Sequence, residues 1–573
     1  MGTEYAKSAY RTFFFWGICS SMGITICTLI DAILVGNFLG SDGLAVANIA
    51  TPVFLIYSLL GITLGTGANV RLGRMLGAGD VESANKIFSS VLFTGLVVGT
   101  VVLGFTLVFG DSTYRFFGAT EELLPLVRQY LRVVFFSAPI FVTYHILSVS
   151  VRTDGDPKLT AAASVGVIVT NLSLDLLFMK VLGWGISGAS ASLCIAETVG
   201  VLILLLHFRK KTALLKLRLI VPNLRELKEF VGNGFGVGSA FIFQAVVMLV
   251  FNTLLLLDGS KEGVVYVAVF GVMYTISTIP YAVYDGAGSA ISTVVSILAG
   301  EKEPKGILSV YRSGLWSVSA AGVLLSGIFI LGTQRIFAFF ALTGEAVSAD
   351  TVLAFRLYAV SLALASVNAL CTAFWQTIGR ARLAAVMSVM RNCILMLIVG
   401  SVLILKKQIV GLALAYAVSE GLCLMGLLVI RFVNGSKAYV TEKFKLSKRA
   451  FEQFYPIEAD SIEQVSADLE KLCEDWEIGM KQSFFINLVI EELIMNIVKF
   501  GLEETKKKHY VSIKLMENEE EYILRIRDNV NAYNPFDTRG DALDQAAIRL
   551  ITEKAAYYDY QRKLIFNYLY IIL

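Results

Sequence analysis

"TNLSLDLLFM", residues 170–179, lies inside a run apolar enough to cross a bilayer, yet it carries an amide at Asn171 and a carboxylate at Asp175. An ionisable group at mid-bilayer costs about 2.5–3.5 kcal/mol on insertion scales, so it ordinarily faces a cavity and has a use. The two groups are four residues apart and share one helix face. The surroundings identify the run as a membrane span. Of 573 residues, 56% are hydrophobic and 17% charged, with a mean hydropathy of +0.68, which marks an integral membrane protein. Apolar blocks continue to Phe432, and from Lys437 onward charged residues recur every few positions, so two solvents are implied.

A helix needs about 20 apolar residues to cross roughly 30 Å of hydrocarbon. Twelve runs qualify: 12–38, 44–69, 87–110, 129–151, 159–182, 187–208, 231–257, 264–290, 308–332, 353–375, 383–405 and 409–432. With the N-terminus inside, the cytoplasmic loops hold Arg71, Arg74, Lys86, Arg152, Lys158, the basic cluster at 209–228, Lys302, Lys305, Arg312, Arg380, Arg382 and Arg391, and the opposite loops are poorer in cations. Both termini of a plasma-membrane protein are therefore expected in the cytoplasm. "VRLGRMLGAGD" (70–80) corresponds to "STVVSILAGEK" (292–302), "SVRTDGDPKLTAAASV" (150–165) to "AFWQTIGRARLAAVMSV" (373–389), and Glu197 to Glu420, at an offset near 223. Six spans per repeat give both halves the same orientation, an arrangement found in transporters.

The expected fold is an all-α polytopic membrane protein of two six-helix bundles, 1–222 and 223–433. A basic linker (434–455) and a small α+β cytoplasmic domain (456–573) follow. A net charge of +3 gives no reason to expect a nucleic-acid partner. The lipid bilayer is the evident partner, and "HFRKKTALLKLRL" (207–219) reads as a cytoplasmic loop facing anionic lipid. Seven cysteines without a C-x-x-C pair indicate neither a disulfide framework nor a metal site.

Asp31, in "TLIDAILVG" of the first span, adds a third oxygen-bearing group to the first half. Asp31, Asn171 and Asp175 together suit a hard cation held through oxygens or a proton held on a buried carboxyl. Glu197, Glu420 and Asp285 read as helix-end or packing groups. "GFGVG" (234–238) and "GITLG" (61–65), inside apolar spans, read as close helix contacts rather than phosphate loops.

The stretch "TLIDAILVGNFLGSDGLAVANIATPVFLIYSLLGITLGTGANVRLGRMLGAGD" resembles the opening of the multidrug and toxic compound extrusion (MATE) family, and with the repeat the likeness covers 12–433. In its DinF-like branch an Asp of the first span and an Asn-x-x-x-Asp of the fifth bind the coupling proton or sodium. The matching positions are Asp31, Asn171 and Asp175. The branch's hydroxyl in span six falls at Leu193, with Ser190 and Ser192 close by. The resemblance implies an antiporter that exports amphipathic, often cationic, organic molecules in exchange for H+ or Na+.

After the linker the periodicity changes. "DSIEQVSADLEKLCEDW" and "KQSFFINLVIEELIMNIVKFGLEE" read as amphipathic helices, and "YVSIKLMEN", "EYILRIRDN" and "LIFNYLYIIL" as strands. "IEELIMNIVKFG" and "RIRDNVNAYNPF" resemble the N-box and first glycine box of GHKL ATPases, especially the anti-sigma-factor serine kinases. The resemblance implies Glu492 as general base, Asn496 as magnesium ligand and Asp528 as the adenine-binding acid, with ATP and Mg as cofactors and a protein partner for the domain. Val530, Ala546 and Ala547 stand where the family's glycines turn backbone N–H groups toward phosphates. Two rival readings are a membrane-anchored serine kinase whose spans act as a sensor and a lipid-linked precursor flippase.

Overall fold

The computed structural model describes residues 3–117, 121–218, 220–221, 223–257, 261–340, 342, 347–434, 449–457, 461–501, 509–518, 521–536 and 542–573. It divides into a helical unit, Ala6–Thr441, and a second unit made of Met1–Tyr5 with Glu442–Leu573.

Among the described residues of the helical unit, nine helical stretches are long and apolar enough to cross a membrane. A tenth is the pair Leu124–Phe136 and Ala138–Thr153, bent by 47°. The bend falls at Ser137, whose hydroxyl donates to the Val134 carbonyl at 2.7 Å, and at Pro139, which has no N–H to continue the ladder. The count differs from twelve for two reasons. Of the long helix Glu4–Ala78 only Ala45–Ala78 is counted, so the first expected run is not among the nine, and Ala381–Ile430, 50 residues long, covers the last two. Gln408, with φ 47° and ψ −124°, interrupts this 50-residue run.

Helices pack in this unit through small residues, which let backbones approach where no hydrophobic drive favours association. A Cβ on Gly234 would stand 1.9 Å from the Thr63 carbonyl oxygen, and one on Gly300 would stand 2.1 Å from that of Arg74. "GFGVG" is therefore a helix-crossing element. Asn69 donates to the Ser292 hydroxyl at 3.0 Å, and Arg71 pairs with Glu229 at 3.1 Å, so polar contacts accompany the close approach. The start of the basic stretch at 207–219 is tied down by protein rather than left to lipid. His207 lies buried between Asp154 (2.7 Å) and Asp156 (3.2 Å), Lys210 pairs with Asp156, and Asp154 accepts the Leu215 N–H at 3.1 Å.

The second unit contains a five-stranded antiparallel sheet in the order β1-β2-β3-β5-β4: β1 Arg449–Pro456, β2 Tyr510–Asn518, β3 Glu521–Asp528, β4 Tyr557–Lys563 and β5 Phe566–Ile572. β1 begins inside the segment expected as linker; residues 435–448 of that segment lie outside the described residues. "RAFEQFYP" is recruited because its backbone pairs along β2, from Arg449 opposite Glu517 to Pro456 opposite Tyr510. Helices Ser461–Asp475, Met480–Asn496 and Ala542–Lys554 accompany the sheet. Leu469, Ile490, Leu493, Ile513, Leu524, Ile526, Ile551 and Leu569 meet in one core, so each helix buries one stripe and each central strand one face.

Asp528 ends β3 inside this core, 1% exposed. Burial pushes its carboxyl up to about 6, against the pull of hydrogen bonds from Asn567 Nδ2 (2.7 Å) and the Val530 N–H (3.1 Å) and the charge of Arg562.

Two outcomes follow from this packing. Gly234→Leu forces side-chain atoms against the Thr63 backbone, and overpacking of this kind costs about 1–3 kcal/mol or more; the midpoint of thermal unfolding in detergent falls accordingly. The folded Asp528 carboxyl binds its proton more tightly than the unfolded chain, so the sheet unit loses stability as pH rises from about 4 to about 6, by on the order of 3 kcal/mol. Asp528→Asn flattens that dependence, as denaturant unfolding followed through Trp476, with the other tryptophans replaced by phenylalanine, will register.

Candidate functional site

Three helices of the first half bring the sequence-predicted polar groups together. Helix Pro157–Asp175 starts with Asp156 accepting the Leu159 N–H and Pro157 in its first turn, and it runs directly into a π-helical turn, Leu176–Val181. Such bulges inside membrane helices often mark functional positions. Asp175 stands at the junction with 0% exposure, and Asn171, one turn earlier, has 1%. Helix Ile186–Leu205 contributes Ser192, whose hydroxyl donates to Asp175 Oδ1 and lies 3.4 Å from Asn171 Nδ2. The long first helix contributes Cys27, whose thiol donates to Asn171 Oδ1 at 3.3 Å, and, one turn later, the half-buried Asp31. Asp31 lies within interaction range of Asp175.

Asp175 Oδ2 is sealed from solvent and has no hydrogen-bond partner among the described residues. Two carboxyl groups this close, in surroundings of low dielectric, repel unless a positive charge lies between them. The cluster therefore offers an acceptor oxygen, an adjacent second acid and a positioned hydroxyl, which suits a small cation or a proton. The hydroxyl expected at Leu193 is supplied one residue earlier by Ser192, because one step along a helix rotates a side chain by about 100°. Leu193 itself packs into the apolar cluster around Phe141 and Ile186. Cys27 carried no signal beyond its position one turn before Asp31.

The second half uses its buried charges differently. Arg391, expected in a cytoplasmic loop, is instead 8% exposed within helical structure, in the π-helical turn Met390–Ile394. Its Nε donates to both oxygens of Glu420 at 2.7 and 2.9 Å, and Asn368 Nδ2 donates to Glu420 Oε2 at 2.7 Å and to the Glu420 carbonyl at 2.9 Å. The pair satisfies two ions that neither could be buried alone. Glu420 thus packs, as the sequence suggests, but through an arginine assigned to the wrong place.

In the sheet unit, Glu492 and Asn496 lie one turn apart on helix Met480–Asn496, Asn496 buried and Glu492 half-buried. Asp528 directs Oδ1 to Asn567 and Val530, while Oδ2 is buried without a partner among the described residues. Val530 is buried, and Ala546 and Ala547 lie within helix Ala542–Lys554. Positive φ at non-glycine residues occurs, among those described, at Lys302, Gln408, Glu477 and Leu564, not at these three positions. The three positions expected to carry phosphate-binding glycines thus have ordinary backbone, without the positive φ that aims N–H groups at phosphates. Among the described residues, no three His, Cys, Asp or Glu side chains gather as metal ligands.

Comparison with known proteins concerns the helical unit. The chain is 23% identical over 420 residues to the multidrug export protein MepA of Staphylococcus aureus strain NCTC 8325 / PS 47, covering 71% of this chain and 90% of that one. It is also 23% identical over 403 residues to MepA of Staphylococcus saprophyticus, covering 69% and 87%. Among solved structures it resembles the outward-facing conformation of a multidrug resistance MATE family transporter of the MOP superfamily, with a TM-score of 0.68 at 22% identity over 75% of this chain and 97% of that one. MATE in the bent conformation matches with a TM-score of 0.67 at 22% identity, over 76% and 97%. The MatE family model matches residues 18–177 and 240–402, one segment in each repeat and together more than half of the chain. A repeated helical membrane unit that this model recognises on both sides of its internal symmetry belongs to the MatE family of multidrug efflux transporters.

Proposed function

We propose that the protein is a secondary antiporter of the DinF-like branch, exporting amphipathic and cationic organic compounds across the plasma membrane in exchange for H+ or Na+. The observation that carries the reading is the meeting of Asp31, Asn171, Asp175 and Ser192 around one unpaired, buried carboxylate oxygen. The family's coupling to H+ or Na+ gradients and the relatives' description as multidrug export proteins support it. In this reading the chain crosses twelve times with both termini in the cytoplasm. The 50-residue run Ala381–Ile430 would rise about 75 Å as one helix, far beyond the roughly 30 Å of hydrocarbon, and Gln408 divides it into two crossings.

Cation entry between the acids removes their repulsion and changes how the first helix rests against its neighbours, which alters the side to which cargo has access. One charge crossing 100 mV releases about 2.3 kcal/mol, and a tenfold gradient of a neutral solute needs about 1.4 kcal/mol. Asp31→Asn and Asp175→Asn each reduce gradient-driven efflux from proteoliposomes to the level without a gradient, with folded yield and cargo binding retained. Normal efflux by both variants overturns the reading. Imposing pH and sodium gradients separately identifies the ion. Ser192→Ala removes a hydrogen bond to a charged group, worth about 1.5–3 kcal/mol, and raises the cation concentration needed for half-maximal transport.

For the C-terminal domain we propose a GHKL-like regulatory module, read by nucleotide or a protein partner, that does not transfer phosphate efficiently. The free Asp528 Oδ2 favours a ligand that donates from an amino group, and Val530, Ala546 and Ala547 disfavour a phosphate cradle. Glu492 as general base and Asn496 as magnesium ligand stand as the positions a catalytic version would use. Titration of the full-length protein with a fluorescent ATP analogue is expected to saturate and to weaken in Asp528→Ala. Binding that is absent, or indifferent to that substitution, removes nucleotide from the proposal.

A further inference from the structure

The two halves of the helical unit offer a comparison at equal positions in the fold. The offset that sets Thr153 opposite Thr377, Lys158 opposite Arg382 and Ser164 opposite Ser388 also sets Tyr144 opposite Asn368 and Val167 opposite Arg391, while Glu197 stands opposite Glu420. In the second bundle the three equivalents pair with one another: the Arg391 guanidinium and the Asn368 amide both donate to the Glu420 carboxylate. In the first bundle the same places hold a phenol and an isopropyl group. Gly200, nearly one turn beyond Glu197, admits them both: its absent Cβ would meet Val167 Cγ2 at 2.6 Å and Tyr144 Cε2 at 2.8 Å. Val167 has nothing to donate. The Tyr144 hydroxyl is 3.3 Å from Ser164 Oγ, which in turn is 2.6 Å from Ser20 Oγ.

Glu197 therefore keeps a carboxylate oxygen, Oε2, sealed from solvent and without a partner among the described residues. At the second-half position the protein supplies an arginine to the acid; here it supplies none, and a buried carboxylate without a cation calls for an explanation. Glu197 lies five residues beyond Ser192, about 7.5 Å along the helix, on the way from the Asp31–Asp175 cluster to the basic stretch that begins at His207. Asp31, Asp175 and Glu197 each act electrostatically on the Cys27 thiol. The other titratable groups acting on or beside Glu197 are Tyr144 of helix Ala138–Thr153, with Arg152 further along that helix, and Cys194 on its own helix.

We propose that Glu197 is a proton relay between the Asp31–Asp175 pair and the basic-loop face of the membrane, a role its repeat equivalent Glu420 cannot perform because Arg391 holds it. The inference rests on the ion-coupling reading given above, with H+ as the ion. A proton leaves the acid pair, which returns to its anionic form, and neutralises the Glu197 carboxylate; it then passes to water on the loop face, and Glu197 becomes anionic again. Each cycle moves one proton and leaves no charge behind.

Proteoliposomes of the full-length protein, with an entrapped pH dye and ethidium as cargo, test the relay. Glu197→Gln is expected to slow pH-gradient-driven exchange by about 100-fold, the scale for loss of a proton-transfer group. It should flatten the dependence on loop-side pH while leaving equilibrium ethidium binding unchanged, and Glu197→Asp should recover part of the rate. Val167→Arg, which recreates the second-bundle pairing in the first, should silence proton-driven exchange in a folded protein. Wild-type rate and pH profile in Glu197→Gln overturn the relay while leaving the acid pair intact. Loss of ethidium binding in step with turnover also overturns it, making Glu197 a cargo ligand. Wild-type exchange driven by sodium without proton movement removes the relay but keeps ion coupling, whereas full activity of both Asp31→Asn and Asp175→Asn removes coupling at this pair and the relay with it.

Discussion

The cost of keeping an ionised carboxyl group away from water shapes both halves of the helical unit. A buried anion must be met by a cation, by donors or by a proton, and each half meets it in its own way. In the second half Arg391 and Asn368 close around Glu420, producing a neutral, rigid knot between helices. In the first half Asp175 receives a hydroxyl from Ser192, faces a second acid in Asp31 and keeps one oxygen open. The first arrangement pairs opposite charges within the protein, and the second leaves two acids side by side. A repeated scaffold thus holds a paired anion in one half and two neighbouring acids in the other.

An antiporter of the kind proposed needs helices able to move without losing their packing. Glycines at the crossings, Gly234 against Thr63 and Gly300 against Arg74, bring backbones together over smooth surfaces where bulky side chains would interlock. The π-helical turn beginning at Leu176 and the break at Gln408 place irregular backbone beside, or between, membrane crossings. Irregular backbone at membrane depth survives only where protein or an aqueous cavity satisfies it, which suits a polar site at the Asp175 junction.

The sheet unit obeys a different solvent. Its apolar residues gather in one core behind an antiparallel sheet, and the deeply buried Asp528 is held by Asn567 and a backbone N–H. Burial raises this carboxyl above the usual carboxylate range, to about 6, against the pull of those donors. Val530, Ala546 and Ala547 have ordinary backbone conformations.

Much of this was legible in the residues alone, because it depends on local repetition. Apolar runs of about 20 residues marked the spans, the four-residue spacing of Asn171 and Asp175 put them on one face, and the repeated segments implied two like bundles. Alternation and amphipathic stripes separated the sheet unit from the membrane. What the tertiary structure decided were pairings between distant parts of the chain. Ser192 rather than Leu193 reaches Asp175, because the rotation of one helix against another sets which neighbour faces inward. Arg391 proved to be a buried partner of Glu420 rather than a loop cation, because 29 residues of sequence separate two groups that folding brings to 2.7 Å. "RAFEQFYP" became a strand because β2 offered it an edge. Local sequence sets periodicity and therefore the face a residue occupies; only the packing of one element on another determines what that face meets.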